Sequence, residues 1–415
     1  MRGEKLERAQ WMALVAAFLG WLFDGFEMGL FPLVARPALR SLAGPGAASD
    51  AFVGEWMGIV TALFLLGAAA GGLVFGWLGD RIGRVRAMAA SILAYSLFTG
   101  FSYFARSPAE LGALRFLAAL GMGGEWALGV ALVMETWPEK WRPFLAGAIG
   151  AAANLGFLLV ALVGKLFPIT VESWRWMMLV GASPALLVFF IRLAVPESER
   201  WRAASAAGGA PARPLREVFS GELLPRTLVA IALASVALIG TWASVQWIPV
   251  WVDQMAGAGD PGAKAVAQMA YGIGATLGSF VGPLLGGRFS RRRTYAALCA
   301  VSFAACAVQF RVLDAYGPLF VAAVVVTGAA TASFYGFLPL YLPELFPTRV
   351  RATGQGVAFN FGRVFAAFGA LLGGSLVAAF DGSFARAGAA VTLVYLAGLA
   401  IVRFAPETRG KALPE

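Results

Sequence analysis

This sequence predicts an all-α integral membrane protein, with twelve transmembrane helices in two pseudo-symmetric six-helix bundles. Three observations carry that prediction. Of its 415 residues, 59% are hydrophobic and only 13% charged, where a soluble globular domain is roughly 45–50% apolar and about 25% charged. Apolar runs of about 20 residues, the length that crosses a bilayer, recur along the whole chain. Short motifs from the first half return about 210 residues later in the second.

The runs lie near 11–34, 54–78, 86–105, 109–134, 143–166 and 174–195, then 226–252, 263–287, 294–312, 317–342, 352–379 and 385–405. The first follows Arg2, Lys5 and Arg8 and so looks like a signal peptide. Asp24 and Glu27 interrupt it, however, and no small-residue cleavage site follows closely. It reads as a first span retained in the mature protein. Between the sixth and seventh runs the chain reads AASAAGGAPARP, a low-complexity linker. The expected organisation is a six-helix bundle over 1–198, a cytoplasmic linker over 199–225 and a second bundle over 226–415.

The net charge of +10 would, taken alone, suit nucleic acid. The basic residues sit instead in short turns between apolar runs. They concentrate on the side that also holds both chain ends, which is the positive-inside pattern. The expectation is a monomer in the cell membrane, both termini cytoplasmic, with lipid around it and no nucleic-acid partner. Arg115, Arg192 and Arg363 lie within runs. The chain has no histidine. Proton chemistry inside the membrane therefore falls to Asp and Glu, and a histidine-ligated metal site is excluded. Neither a zinc-protease motif nor a phosphate-binding glycine loop is present, so no enzyme activity, cofactor or metal is expected. Cys299 and Cys306 would lie about 10 Å apart on one helix, too far for a disulfide.

The internal repeats are specific. Glu135-x-x-Pro138-x-x-x-Arg142 returns as Glu344-x-x-Pro347-x-x-x-Arg351, and Pro196-Glu197-Ser198 as Pro406-Glu407-Thr408. Gly79-Asp80-Arg81 with Arg84 returns more weakly as Gly286-Gly287-Arg288 with Arg291. Duplication of a six-helix unit explains all three.

These residues also resemble a known family. Gly76, Gly79, Asp80, Arg81, Gly83 and Arg84 match the loop 2–3 signature of the major facilitator superfamily. Arg115, Gly121, Gly123, Gly124 and Glu125 resemble its span-four signature. PESERW at 196–201 and PETRGK at 406–411 look like the half-ends of sugar porters. WLFDGFEMGL in the first span, with YLPELFPTRVRATGQG at 341–356, is most similar to the metabolite–proton symporters, including those for aromatic acids and sialic acid. The resemblance covers essentially the whole chain. It implies secondary transport by alternating access, with proton-coupled symport of a small organic anion such as a monocarboxylate, aromatic acid or sugar acid. The alternative is a facilitator or exporter of a neutral solute such as a sugar. Sugar porters carry a Gln pair in span seven, where this chain has only Gln246, which points away from a hexose. The Gly-Pro pair of drug antiporters is absent from GAIGAAANLGF in span five, and Glu27 stands where aromatic-acid symporters usually have a second Asp.

Charges inside a bilayer cost a few kcal/mol or more and default to functional candidates, the alternative being ion pairs that only hold helices together. Asp24 lies about 20 Å along the first span, near the midplane. Glu27, three residues on, shares its face. Arg115 is within reach of either, and the resemblance implies that such a span-one acid and span-four Arg load and release a proton. Glu125 lies about 15 Å beyond Arg115 along the same span, too far for direct contact, and is expected as a second carboxylate toward the cytoplasmic side. Arg363 lies about 16 Å into span eleven, with Asn360 one turn earlier. No acidic partner is predicted in its own half, which suits an anionic substrate gripped by a planar fork. Asn154, Thr331 and Tyr335 are candidates to line the cavity. A cytoplasmic gate is expected from Asp80, Arg81 and Arg84 pairing with Glu135 and Arg142, with Glu344 and Arg351 as second-half counterparts. Gly287 stands where Asp80 has its repeat, so the gate should be asymmetric. Glycines 274, 278, 282 and 286, and glycines 67, 71, 72 and 76, should allow close helix packing.

Overall fold

The computed structural model describes residues 8–43, 50–167, 169–206, 213–242, 244–248, 251–252, 255, 263–371, 376–377, 379–381 and 383–415. Every regular element among them is helical. Ten of the described helices are long and apolar enough to cross a membrane. The other two predicted spans are present in altered form. Span six is Trp174–Gly181 followed by Ala185–Ala194. It breaks at Pro184, which has no N–H to continue the ladder. Span eleven is Arg351–Leu371, and its Arg351, Gln355, Asn360 and Arg363 make it polar. Residues 372–375 of its predicted length, the 207–212 centre of the predicted linker, and Arg2 and Lys5 lie outside the described residues, as do the side chains of Arg192 and Gln246. The linker's flanks form short helices, Glu199–Ala206 and Pro214–Val218.

The first span corrects its predicted end at 34. The helix runs Arg8–Leu42, through Pro32 and Pro37. Val34, Ala35, Ala38 and Leu39 are fully buried, so packing outweighs the backbone hydrogen bonds the prolines remove.

Within the first half, span one packs on span five and span two on span four. In the second half, span eight packs on ten and seven on eleven. Span two against eleven and span five against eight join the halves. Glycines set the closest approaches. A Cβ on Gly274, Gly278 or Gly282 would stand 2.1, 2.0 or 2.2 Å from the carbonyl oxygens of Val325, Ala329 and Ser333. Only a residue without a Cβ permits that contact. Gly67 and Gly71 play the same part against span four. Gly72 and Gly76 instead face span eleven, where a Cβ on Gly72 would meet Asn360 Nδ2 at 1.7 Å. The predicted glycine stripes are thus packing surfaces, and half of one serves the seam between halves.

Both described chain ends lie on one face. Trp137 Nε1 donates to the Gln10 carbonyl (2.8 Å), and the Pro414 carbonyl accepts from Thr348 N–H (3.2 Å). We call this the terminal face.

Candidate functional site

Midway along the helices, spans one, three, four and eleven bring five charges and three aromatic rings together. The Arg115 guanidinium pairs with Glu27, and Thr99 Oγ1 donates to the same carboxylate at 2.6 Å. Both charges are buried, with Arg115 flanked by the rings of Phe64 and Phe31. Of the two partners open to Arg115 in the sequence, the structure selects Glu27.

Asp24 is therefore left for another role. It and Glu125 are buried, and their carboxyls lie within hydrogen-bond reach of each other. Among the described residues no other donates to any of the four oxygens. Gly20, one turn before Asp24, makes the room: a Cβ there would stand 1.9 Å from Glu125 Oε1. Glu125 thus belongs to the central cluster rather than to a separate position nearer the terminal face. Its distance from Arg115 was legible in the sequence, but its proximity to span one was not, because that depends on how two helices pack. The Tyr95 hydroxyl lies near the pair, buried and without a hydrogen-bond partner among the described residues.

Across the seam stands Arg363. It donates to Asn360 Oδ1 at 3.1 Å and sits over the ring of Phe359 (4.9 Å) and near that of Trp21 (6.0 Å). Among the described residues it forms no ion pair. Asp24 and Tyr335 are the groups whose charge or hydroxyl lies within its electrostatic reach. Asn360 also ties the halves, donating to Gly123 O at 3.4 Å, besides Gly356 O of its own helix at 2.9 Å. The Tyr335 hydroxyl is buried beside Thr241 and Trp242 and, among the described residues, makes no hydrogen bond of good geometry. Thr331 Oγ1 donates to the Thr327 carbonyl of its own helix at 2.8 Å. A threonine can satisfy its hydroxyl on the preceding turn, which leaves little to offer a solute. Asn154 is half-buried on span five, beside the Ala153 that packs on Gly25.

Sequence reasoning missed the aromatic cluster between the halves. Trp126 of span four stacks on Phe359 of span eleven, with ring centroids 4.2 Å apart and planes at 16°. Trp21 lies 6.4 Å from both. A signal existed, since Trp21 precedes Asp24 by three residues and Trp126 adjoins Glu125.

The terminal face carries a second charged set. Arg84 reaches Asp80 (2.8 Å), Glu135 (3.0 Å) and, in the other half, the Thr348 carbonyl (2.6 Å). Arg351 crosses to Glu135 at 2.8 Å, and Ser198 Oγ donates to the same carboxylate. Asp80 accepts from the backbone N–H groups of Ala352 (3.2 Å) and Thr353 (2.8 Å). There the open N–H groups at the start of span eleven favour an anion. Two predicted members are absent. Arg81 is exposed and lies over the Trp77 ring (4.9 Å). Arg142 is buried but pairs with neither Asp80 nor Glu135, because Arg84 and Arg351 already occupy those carboxylates. Glu344 bonds Arg291 (2.6 Å) and accepts from Thr408 Oγ1 (2.5 Å). This repeats the arrangement of Glu135 with Arg84 and Ser198. Glu407 likewise accepts from Arg291 N–H (2.9 Å), as Glu197 does from Arg84 N–H (2.9 Å).

With this geometry established, comparison with known proteins is decisive. Residues 13–287 match the family description "Major Facilitator Superfamily", and residues 203–415 match "Sugar (and other) transporter". The chain belongs to the major facilitator superfamily. It is a multi-pass membrane transporter, as its relatives also indicate. It is 31% identical over 405 residues (96% of this chain, 91% of the other) to a protein of Cupriavidus pinatubonensis named a probable 4-methylmuconolactone transporter. It is 28% identical to the cis,cis-muconate transport protein of Acinetobacter baylyi, over 86% of this chain and 85% of that one. Its fold is similar to that of the proton:xylose symporter XylE of E. coli, with a TM-score of 0.81, 19% identity and 98% of each chain covered.

Proposed function

We propose that this transporter is a proton-coupled symporter of a small organic anion. It works as a monomer in the cell membrane, with both termini cytoplasmic and residues 199–225 connecting halves that alternate access. The observation that carries the proposal is Arg363, a guanidinium buried at the seam, bordered by aromatic faces and without an ion pair among the described residues. A charge there is costly unless an anion meets it, and the planar fork suits a carboxylate. The relatives named for a muconolactone and for cis,cis-muconate support this, since both names denote unsaturated organic acids. Asn360 orients the guanidinium, and the Tyr335 hydroxyl is a further donor near it.

Coupling follows from charge compensation. Asp24 is the acidic group within reach of Arg363. A proton on Asp24 removes that compensation and leaves Arg363 free for a substrate anion. Bound proton and bound anion therefore favour each other, and the effect is reciprocal. Glu125, against Asp24, shares the proton-carrying role, because two buried carboxyls in contact cannot readily both be charged. Glu27 and Arg115, already paired, hold spans one and four in register beside them.

The test starts from a thermal-shift screen of carboxylates, sugars and amines, because a ligand of the native state raises apparent stability. Calorimetry then follows the best ligand. Hydrogen bonds to charged groups contribute about 1.5–3 kcal/mol each. Arg363→Ala should therefore weaken binding roughly ten- to a hundredfold or more, at about 1.4 kcal/mol per tenfold. Arg363→Lys should fall between that variant and the parent. If the best ligand is uncharged and Arg363→Ala binds it unchanged, the anion reading fails, and a facilitator or exporter of a neutral solute replaces it.

A further inference from the structure

The two halves repeat their terminal-face lock, but one copy is incomplete, and a cavity opens where it fails. In the complete copy, Arg351 crosses to Glu135, and Asp80 meets the N–H groups of Ala352 and Thr353. The internal repeat puts Arg142, Glu344, Gly287 and Pro143 in the mirror positions. Gly287 supplies no carboxylate, and Pro143 opposite it has no N–H to donate. The two touch closely, since a Cβ on Gly287 would stand 2.6 Å from Pro143 Cγ. Glu344 is held by Arg291 and Thr408 within its own half. Arg142 forms no ion pair among the described residues, and its Nε is buried without a partner, the residue being 5% exposed.

Arg142 forms part of the wall of a cavity of about 470 Å³ at this seam. Lys140 and Arg142 line it from the first half, and Arg288, Arg291 and Arg409 from the second, against only Glu139 and Glu344. Arg291 already neutralises Glu344, so the site keeps an excess of positive charge drawn from both halves. Phe144 and Leu284 complete the wall, each about half exposed (49% and 50%). Above Leu284, Val281, Leu277 and Ile273 are exposed in a row along span eight. These residues share one helix face at three- to four-residue spacing. A soluble anion would need only the cations. The apolar row leading from the cavity suits an acyl chain.

We propose that this cavity binds the phosphate of an anionic phospholipid headgroup, bridging Arg142 of the first half to Arg288 and Arg409 of the second. The bound lipid supplies the negative charge that the incomplete lock lacks. Because the cations come from both halves, it favours the state in which the terminal face is closed.

The test uses the full chain in neutral detergent and reads the thermal unfolding midpoint during titration with phosphatidylglycerol, phosphatidylcholine or inorganic phosphate. Three proteins are compared: the parent, Arg142→Gln, and the double variant Arg288→Gln/Arg409→Gln, whose substituted side chains are exposed and spare the core. Phosphatidylglycerol should raise the parent's midpoint saturably, beyond the effect of phosphatidylcholine, while inorganic phosphate at the same concentration should not. The double variant should need roughly tenfold more phosphatidylglycerol for half its effect, a change of about 1.4 kcal/mol. Equal responses to the two lipids overturn the proposal. So does a double variant that responds like the parent. A rise reproduced by inorganic phosphate alone replaces the lipid with a soluble anion.

Discussion

Asp80 offers the most direct test of the lock. Its carboxylate accepts from Ala352 N–H and Thr353 N–H at 3.2 and 2.8 Å, and both donors belong to the other half. These bonds exist only while the terminal face is closed. Each charge-assisted bond contributes about 1.5–3 kcal/mol, and the longer one should lie at the low end. Asp80→Ala should therefore cost the closed state about 3 kcal/mol relative to the open one, or roughly a hundredfold in their ratio at about 1.4 kcal/mol per tenfold. The Asp80–Arg84 pair lies within one half and is lost in both states, so it cancels. The assay is a spin-label distance distribution between Arg86→Cys and Arg293→Cys, exposed positions at the starts of spans three and nine. Cys299 and Cys306 are buried and should not take label. The parent should show mainly the shorter distance and the variant a substantial longer population. A change in the ratio below tenfold in a folded variant refutes this account of the lock.

Three further outcomes are expected. Asp24→Asn should abolish accumulation driven by a pH difference while sparing exchange between compartments of equal pH; a variant that still concentrates solute with a proton gradient removes Asp24 from the coupling site. Gly278→Val should fail to give a monodisperse protein on size-exclusion chromatography, because even its Cβ would stand 2.0 Å from the Ala329 carbonyl, whereas a normal elution profile would contradict that packing. Cysteines placed between 200 and 222 should react only with membrane-permeant reagents in intact cells, and labelling from outside would reverse the proposed orientation.

Much of the architecture could be read in the chain because its causes are local. A run of apolar residues long enough to span lipid must become a helix, since a bilayer offers backbone groups no other partners. The duplicated Glu135 and Glu344 motifs revealed the two halves for a similar reason, as each motif sits in its own loop. The same limit explains the misjudged end of span one: a proline's local cost was legible, but the burial of Ala38 and Leu39 that outweighs it was not. At the site, the sequence singled out Asp24, Glu27, Arg115, Glu125 and Arg363, because a charge in an apolar run is conspicuous by itself. Which charge meets which depends on helix rotation and approach. Gly20 admits Glu125 to Asp24, Thr99 comes from a third span to hold Glu27, and Trp126 crosses the seam to stack on Phe359. The sequence placed Arg142 and Arg351 as equivalents in a repeat. Only the tertiary structure separated them, because an ion pair needs a free partner within a few ångströms, and Glu135 bonds Arg351 while Glu344 is held by Arg291 and Thr408.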